Sequence, residues 1–337
     1  MKKKIALIGG SGFIGHNLGI KLKDDGHDVI IVDSLSVNNL LSFTDAEITN
    51  KDLYNAILNE RIRIFNEKNI KLIIQDARDY HKISQVLSEI KPDIVVHLAA
   101  VSHANKSNKD PHSTFDHSLR TLENTLDYAK NFKTHVIYMS SSMIYGNFNG
   151  KIVNEKNRCE PIGIYGTLKL SGELMVKSYN QIFELPYTII RPSALYGERC
   201  VSRRVGQIFI ENAIQGKEIL IDGDGEDSLD FTYINDLVEG ISSCCKIDKA
   251  KNETFNLTYG QGRTLRELSE ILKKEFPNVK INYRPRDKFM PERGSLDITH
   301  AKNILNYKPS YPIEIGYQKY ISWYKDFWNR KFKSLNE

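Results

Sequence analysis

The sequence predicts an α/β protein: a doubly wound parallel sheet with helices on both faces, followed by a smaller C-terminal α/β lobe. Three observations predict it. Short apolar runs alternate with helix-length amphipathic segments up to about Pro192; a glycine-rich turn follows the first run at once; and beyond Pro192 the rhythm changes to longer polar stretches, short helices and isolated strands.

The expected strands are Lys4–Ile8, Asp28–Val32, Lys71–Gln75, Asp93–Leu98, His135–Met139 and Tyr187–Ile190, several bounded by Gly, Asp or Pro. Nearly continuous apolar runs of this length suit parallel strands covered on both faces. A polar stretch from about Ser42 to Asn69 interrupts the alternation and reads as helical. The expected division is 1–192 and 193–337, with a segment near 229–250 as a candidate to return to the first part. There is no internal repeat or low-complexity segment.

The composition fits an ordinary folded chain, 337 residues with 40% hydrophobic content. Lys and Arg number 47 against 42 Asp and Glu, but they are scattered, which argues against a nucleic-acid partner and suits either a solvated surface or an anionic small substrate. The cysteines, Cys159, Cys200 and the pair Cys244-Cys245, have no C-x-x-C spacing and no neighbouring His, so neither a disulfide framework nor a metal site is expected. Met1-Lys-Lys-Lys imitates the start of a signal peptide, yet the apolar run Ile5–Ile8 is broken by Gly9 and Gly10 and reads as a strand. No stretch approaches a membrane span, and a reduced, cytoplasmic protein with no membrane partner is expected.

Gly9-Gly-Ser-Gly12-Phe13-Ile14-Gly15 runs from the first strand into a helix-like segment, where a chain must turn tightly against a pyrophosphate. Backbone NH groups and the helix N-terminus would bind the phosphates. Asp33 ends the second strand, eighteen positions after Gly15, where a carboxylate can accept hydrogen bonds from both hydroxyls of an adenosine ribose. The same carboxylate would repel a 2′-phosphate, and Ser34–Leu40 holds no Arg or Lys to neutralise one, so the expected cofactor is NAD rather than NADP. Asp76 and Ala77 follow the third strand and Leu98, Ala99 and Ala100 end the fourth, where adenine and the cofactor backbone would pass; a plain turn role for Asp76 is the competing reading.

Tyr165-Gly-Thr-Leu-Lys169 opens a helical segment whose four-residue spacing puts phenol and ammonium on one face. The fifth strand ends in Met139-Ser-Ser-Ser-Met, a hydroxyl cluster facing the same crevice. Removing a hydride from an alcohol carbon requires removal of the hydroxyl proton, and a free Tyr, with pKa about 10, is a poor base. Positive charge from Lys169 and the oxidised nicotinamide would stabilise the Tyr165 phenolate, and Ser141 would hydrogen-bond the reacting oxygen. The expected catalytic group is therefore Ser141, Tyr165 and Lys169, with Tyr165 and Lys169 also against the cofactor.

The glycine turn, Asp33, His97-Leu-Ala-Ala100, the serine run, Tyr165-x-x-x-Lys169 and Arg191-Pro192 resemble the NAD-dependent epimerase/dehydratase family of extended short-chain dehydrogenases. Gly223-Asp-Gly225, Asp230-Phe-Thr-Tyr-Ile-Asn-Asp236 and Phe255-Asn-Leu extend the resemblance over nearly the whole chain. It implies a Rossmann domain with a small nucleotide-sugar-binding lobe, a homodimer formed through two helices per subunit, and a nucleotide-diphosphate sugar oxidised at C4.

Within that family the residues matching Ser142 and Met143 are typically an acidic pair or carry a Glu in dehydratases; neither can act as that base here. Val101-Ser102-His103 partly resembles the dehydratase pattern, and His103 could touch substrate or simply pack. His117 and Arg120 stand where the family usually has Asn and Gly, Ala194 where it usually has Asn, and Leu229 where an Arg helps bind the diphosphate. Arg199, Arg203, Arg204, Arg284 or Arg286 would have to meet that charge requirement. With Ser102, His103, Ser142, Met143 and Ala194, these arginines form the expected substrate-binding set.

Two outcomes fit the trio. A 4-keto sugar is released, making a dehydrogenase, or the ketone is reduced on its other face, making a 4-epimerase that keeps its NAD. The unusual substrate-side residues point to the dehydrogenase, and the resemblance suggests a GDP-linked heptose or a GDP- or UDP-linked hexose for bacterial surface polysaccharide. A non-catalytic NAD-binding sensor is the reading from another class; the intact trio argues against it.

Overall fold

The computed structural model describes residues 1–43, 49–101, 104–287 and 290–333. Its centre is a seven-stranded parallel sheet. In chain order the strands are β1 (Lys4–Ile8), β2 (Asp28–Asp33), β3 (Lys71–Ile74), β4 (Ile94–His97), β5 (His135–Met139) and β6 (Tyr187–Arg191), and the seventh, Glu253–Asn256, pairs with β6 at the edge. Across the sheet the order is β3-β2-β1-β4-β5-β6 and then the seventh strand. The order reverses between β1 and β4, and such a switch point opens a crevice at the carboxyl ends of the strands. The doubly wound sheet expected from the alternating pattern is present, with strand ends within a residue of the expected ones.

Side-chain alternation divides the core. Ile5, Leu7, Val29 and Ile31 point to one face and join a core that reaches Phe209, Ile234 and Tyr320 of the C-terminal part. Ala6, Ile8, Ile30 and Val32 point to the other face, where they pack with Leu87, Leu122, Leu126 and Val176 from the helices Tyr80–Ile90, Thr121–Phe132 and Gly163–Phe183. Every residue of β5 and β6 is buried, which accounts for their mostly apolar sequences.

Beyond β6 the chain forms three two-stranded pairs: Leu195–Tyr196 with Thr232–Tyr233, Ser228–Leu229 with Arg263–Thr264, and Ile219–Asp222 with Ile281–Arg284. The helix Ile234–Lys246 returns to pack on Phe13–Asp24, where Ser242 Oγ and Lys246 Nζ donate to Asp25 at 2.6 and 2.8 Å. The expected helical stretch contains the helix Lys51–Glu67, while residues 44–48 of it lie outside the described set. Tyr54 of that helix and Tyr324 of the helix Ile313–Trp328 both donate to Glu211, at 2.8 Å each, tying the C-terminal part to the sheet. No helix of the described residues is long and apolar enough to cross a membrane.

Candidate active site

Two cavities meet above the sheet. The first lies at the switch point and is lined by Gly9, Gly12, Phe13, Ile14, Gly15, Asp33, Asp76, Ala77, Leu98, Ala99 and Ala100. These are the residues named from sequence for the dinucleotide, Tyr165 and Lys169 apart. The glycines have a physical reason to be there. A Cβ on Gly9, whose φ is +76°, would lie 2.6 Å from the Ala99 nitrogen, and one on Gly15 would lie 2.5 Å from Gly10 Cα. Only a bare backbone lets the turn sit this low against β4 and leaves room above it for a phosphate.

Asp33 closes the second wall. Its carboxylate accepts from the backbone NH groups of Ser11 at 2.9 Å and Leu35 at 2.7 Å. Burial pushes its pKa up, against those two hydrogen bonds and the guanidinium of Arg61. Asp76 lies on the rim but is already paired with Arg78 at 2.6 Å. His117 and Thr121 also line this cleft, brought inward by a wide π-helical turn at Asp116–Arg120. Sequence reading marked His117 only as a departure from a family pattern; its approach to the cleft depends on that turn. A cleft with a bare-backbone turn and a carboxylate at the ribose position, whose lining arginine, Arg204, is shared with the second cavity, fits a dinucleotide without a 2′-phosphate.

The second cavity has a volume of about 580 Å³, within the usual range for small-molecule sites. It shares Ile14, Leu98, Ala100 and Arg204 with the first, so the two are continuous. Ser141, Ser142, Met143, Tyr165 and Lys169 line its floor. Ser141 accepts from the Met143 NH at 3.2 Å and so starts the short turn Ser142–Tyr145. Gly166 lets the Tyr165 helix rest on that turn, since a Cβ there would stand 2.7 Å from the Met143 carbonyl oxygen. This close approach brings the phenol to the serine.

Lys169 is buried, donates to the Met139 carbonyl at 2.6 Å and lies 5.1 Å from the Tyr138 ring centroid. Burial pulls its pKa down to about 8, with Glu173 opposing. Glu173 is itself held by Arg191 at 2.6 Å and by Ser140 Oγ at 2.6 Å, a fully enclosed network beneath the floor. For Tyr165, burial pushes the phenol upward, while Arg204, a hydrogen bond with Ser141, and Arg293 pull it down. Two arginines that the sequence did not link to the phenol, Arg204 and Arg293, thus act on it.

Arg203, Arg204, Arg284, Arg286 and Ala194 also line this cavity. Arg286 is paired with Asp227 at 2.9 Å, and Arg284 with Asp222. The Nε atoms of Arg204 and Arg293 are buried and have no hydrogen-bond partner among the described residues. An unsatisfied buried donor is costly, so both point to an anionic ligand. Arg293 was missed from sequence because nothing around it marks a motif. Arg199, expected with the others, is not brought to this cavity: it turns away to His16, Asn17 and Glu60. Ser102 and His103 lie outside the described residues. The four cysteines are free.

A sequence model of the NAD dependent epimerase/dehydratase family matches residues 5–258. The chain belongs to that family. It is accordingly an NAD-dependent enzyme of nucleotide-sugar chemistry, and NAD is its cofactor. A putative UDP-glucose 4-epimerase of Methanocaldococcus jannaschii is 29% identical, over 96% of this chain and 98% of its own. Protein CapI of Staphylococcus aureus is 26% identical, over 97% and 100%. Among solved structures, UDP-glucose 4-epimerase of Thermotoga maritima with UDP-glucose superposes with a TM-score of 0.82 at 26% identity, over 96% of this chain and 98% of that one. UDP-glucuronic acid 4-epimerase of Bacillus cereus, at 24% identity, shares the fold with a TM-score of 0.85, over 97% and 99%.

Proposed function

We propose that this enzyme is a nucleotide-sugar 4-epimerase acting on a UDP-linked sugar and keeping its NAD. The observation that carries the reading is the continuity of the two cavities, with Tyr165, Lys169 and Ser141 on the floor of the second. The relatives support re-reduction over release of the ketone: the sequence analysis favoured a dehydrogenase, whereas several relatives are named as 4-epimerases of UDP-sugars. The four relatives named above include no enzyme named for a GDP-linked heptose.

NAD, when bound, accepts and returns one hydride. Tyr165 takes the C4 hydroxyl proton as the ketone forms and returns it after the sugar has turned its other face. Ser141 hydrogen-bonds the C4 oxygen in both orientations, and Arg204 and Arg293 offset part of the cost that burial places on the Tyr165 phenolate. Lys169 would hydrogen-bond the cofactor ribose, and Arg203, Arg204, Arg286 and Arg293 would receive the diphosphate. The absence of a carboxylate at Ser142 and Met143 disfavours dehydration. In this reading residues 1–192 hold the cofactor and most of 193–337 the nucleotide sugar. The proposed homodimer uses the helices Thr121–Phe132 and Gly163–Phe183, on which Phe132, Leu174 and Ile182 are exposed.

The test is incubation of the purified protein, without added NAD, with UDP-glucose, UDP-glucuronic acid and UDP-N-acetylglucosamine. A product of unchanged mass and altered chromatographic retention is expected. A product lighter by two hydrogens, formed with stoichiometric NADH, would replace the epimerase by a dehydrogenase.

A further inference from the structure

Arg61 is a buried charge that the chemistry above does not use. It lies on the helix Lys51–Glu67, is 1% exposed, and has no carboxylate partner within ion-pair distance among the described residues. Its guanidinium donates instead to two carbonyl oxygens: Nη1 to Ser11 at 2.9 Å, and Nε to Arg199 at 3.1 Å with Nη2 on the same oxygen. A guanidinium buried for carbonyls alone is a poor way to fill space. The two carbonyls, however, belong to the loops that serve the two cavities. Ser11 is inside the dinucleotide turn, and Arg199 begins the run that carries Arg203 and Arg204.

The link closes on itself. Arg199 Nε donates to His16 Nε2 at 2.9 Å, and its guanidinium faces Glu60, one residue before Arg61, at 3.6 Å. His16 is fully buried on the first helix, and its Nδ1 lies 3.5 Å from Asn17 Nδ2. The Ser11 peptide is gripped on both sides, its NH by Asp33 and its carbonyl by Arg61. Arg199 and Arg203 both hold left-handed backbone, with φ of 62° and 52°, in a loop that therefore needs support from outside. Neither Arg61, Arg199 nor His16 lines either cavity.

We infer that Arg61, Arg199 and His16 form a clamp through which a filled dinucleotide cleft positions loop 197–204, so that affinity for the nucleotide sugar depends on bound NAD. The inference rests on the proposed reading of the second cavity. These are positioning residues, and the coupling they carry is reciprocal.

The experiment titrates UDP calorimetrically into NAD-loaded and NAD-stripped protein and follows amide hydrogen exchange of 197–204 in both. UDP is expected to bind about five- to hundredfold more tightly with NAD present, with slower exchange in the loop. In Arg61→Met and Arg199→Ala the affinity ratio falls toward one and the loop stops responding to NAD; the partly exposed Arg199 serves if Arg61→Met does not fold. Equal UDP affinities in the two wild-type states, or an NAD response kept in both variants, overturn the clamp. Failure of UDP to bind either state removes the nucleotide-sugar reading instead, and loop exchange alone then judges the clamp: NAD slowing it in wild type and not in Arg199→Ala upholds it, and any other pattern refutes it.

Discussion

The cofactor cleft and the substrate cavity adjoin at Ile14, Leu98, Ala100 and Arg204, yet they are made differently. The cleft is mostly backbone and small side chains at the carboxyl ends of consecutive strands, with one carboxylate, Asp33, anchored by two NH groups. The cavity is lined by long cations from separated segments, Arg203 and Arg204, Arg284 and Arg286, and Arg293, two of them with buried unpaired Nε atoms. The first is a shape that the chain must adopt in order to turn. The second is a charge arrangement assembled from segments far apart in the chain, whose cationic ends can be altered with little effect on the sheet.

The largest effect should come at the junction. Tyr165→Phe removes the proton acceptor and is expected to lower kcat by about 10²- to 10⁴-fold while leaving NAD and UDP binding in place, as single-turnover absorbance and calorimetry would show. Unchanged turnover would remove the mechanism and with it the link between the cavities. On the cofactor side, Gly9→Ala drives a methyl group into the Ala99 backbone from a left-handed φ. It should destabilise the fold by about 1–3 kcal/mol and weaken NAD, read as a lower Tm and a poorer NAD titration.

On the substrate side, Arg293→Met should weaken UDP by about ten- to hundredfold with Tm nearly unchanged. A comparable loss of stability would mean that Arg293 is structural and that the contrast between the cavities fails. The last effect is one of pH. Burial holds His97, on β4 beneath the cleft, at a pKa of about 3, and His135 at about 4. Both stay neutral in the fold, whereas the unfolded chain binds protons from about pH 6.5 downward. Their contribution is therefore complete above that pH and is lost as pH falls. His97 alone should cost about 2 kcal/mol at pH 5, measurable as a shift in denaturation midpoint that His97→Gln removes.

Much of the cleft was legible because its determinants are local. Gly9, Gly12 and Gly15 follow a strand and Asp33 ends the next, and a parallel sheet allows few ways to arrange such neighbours. The Tyr165–Lys169 spacing was equally readable, since four residues on a helix share a face whatever surrounds it. The partner of Lys169 was not: its ammonium meets the Met139 carbonyl, a contact set by how closely Gly166 lets two elements approach. Glu253–Asn256 was missed as a strand of the main sheet because it is short and separated from β6 by some sixty residues.

By itself, then, the sequence determined the alternating strands and helices, the bare turn with its carboxylate, and the trio, because period, steric freedom and helical spacing act over a few residues. Tertiary structure alone decided that Arg293 enters the cavity and Arg199 leaves it, that Arg204 and Arg293 act on the Tyr165 phenol, and that Arg61 joins two loops from within the core. Long side chains reach their partners across the fold, and where they end depends on which backbones have already packed around them.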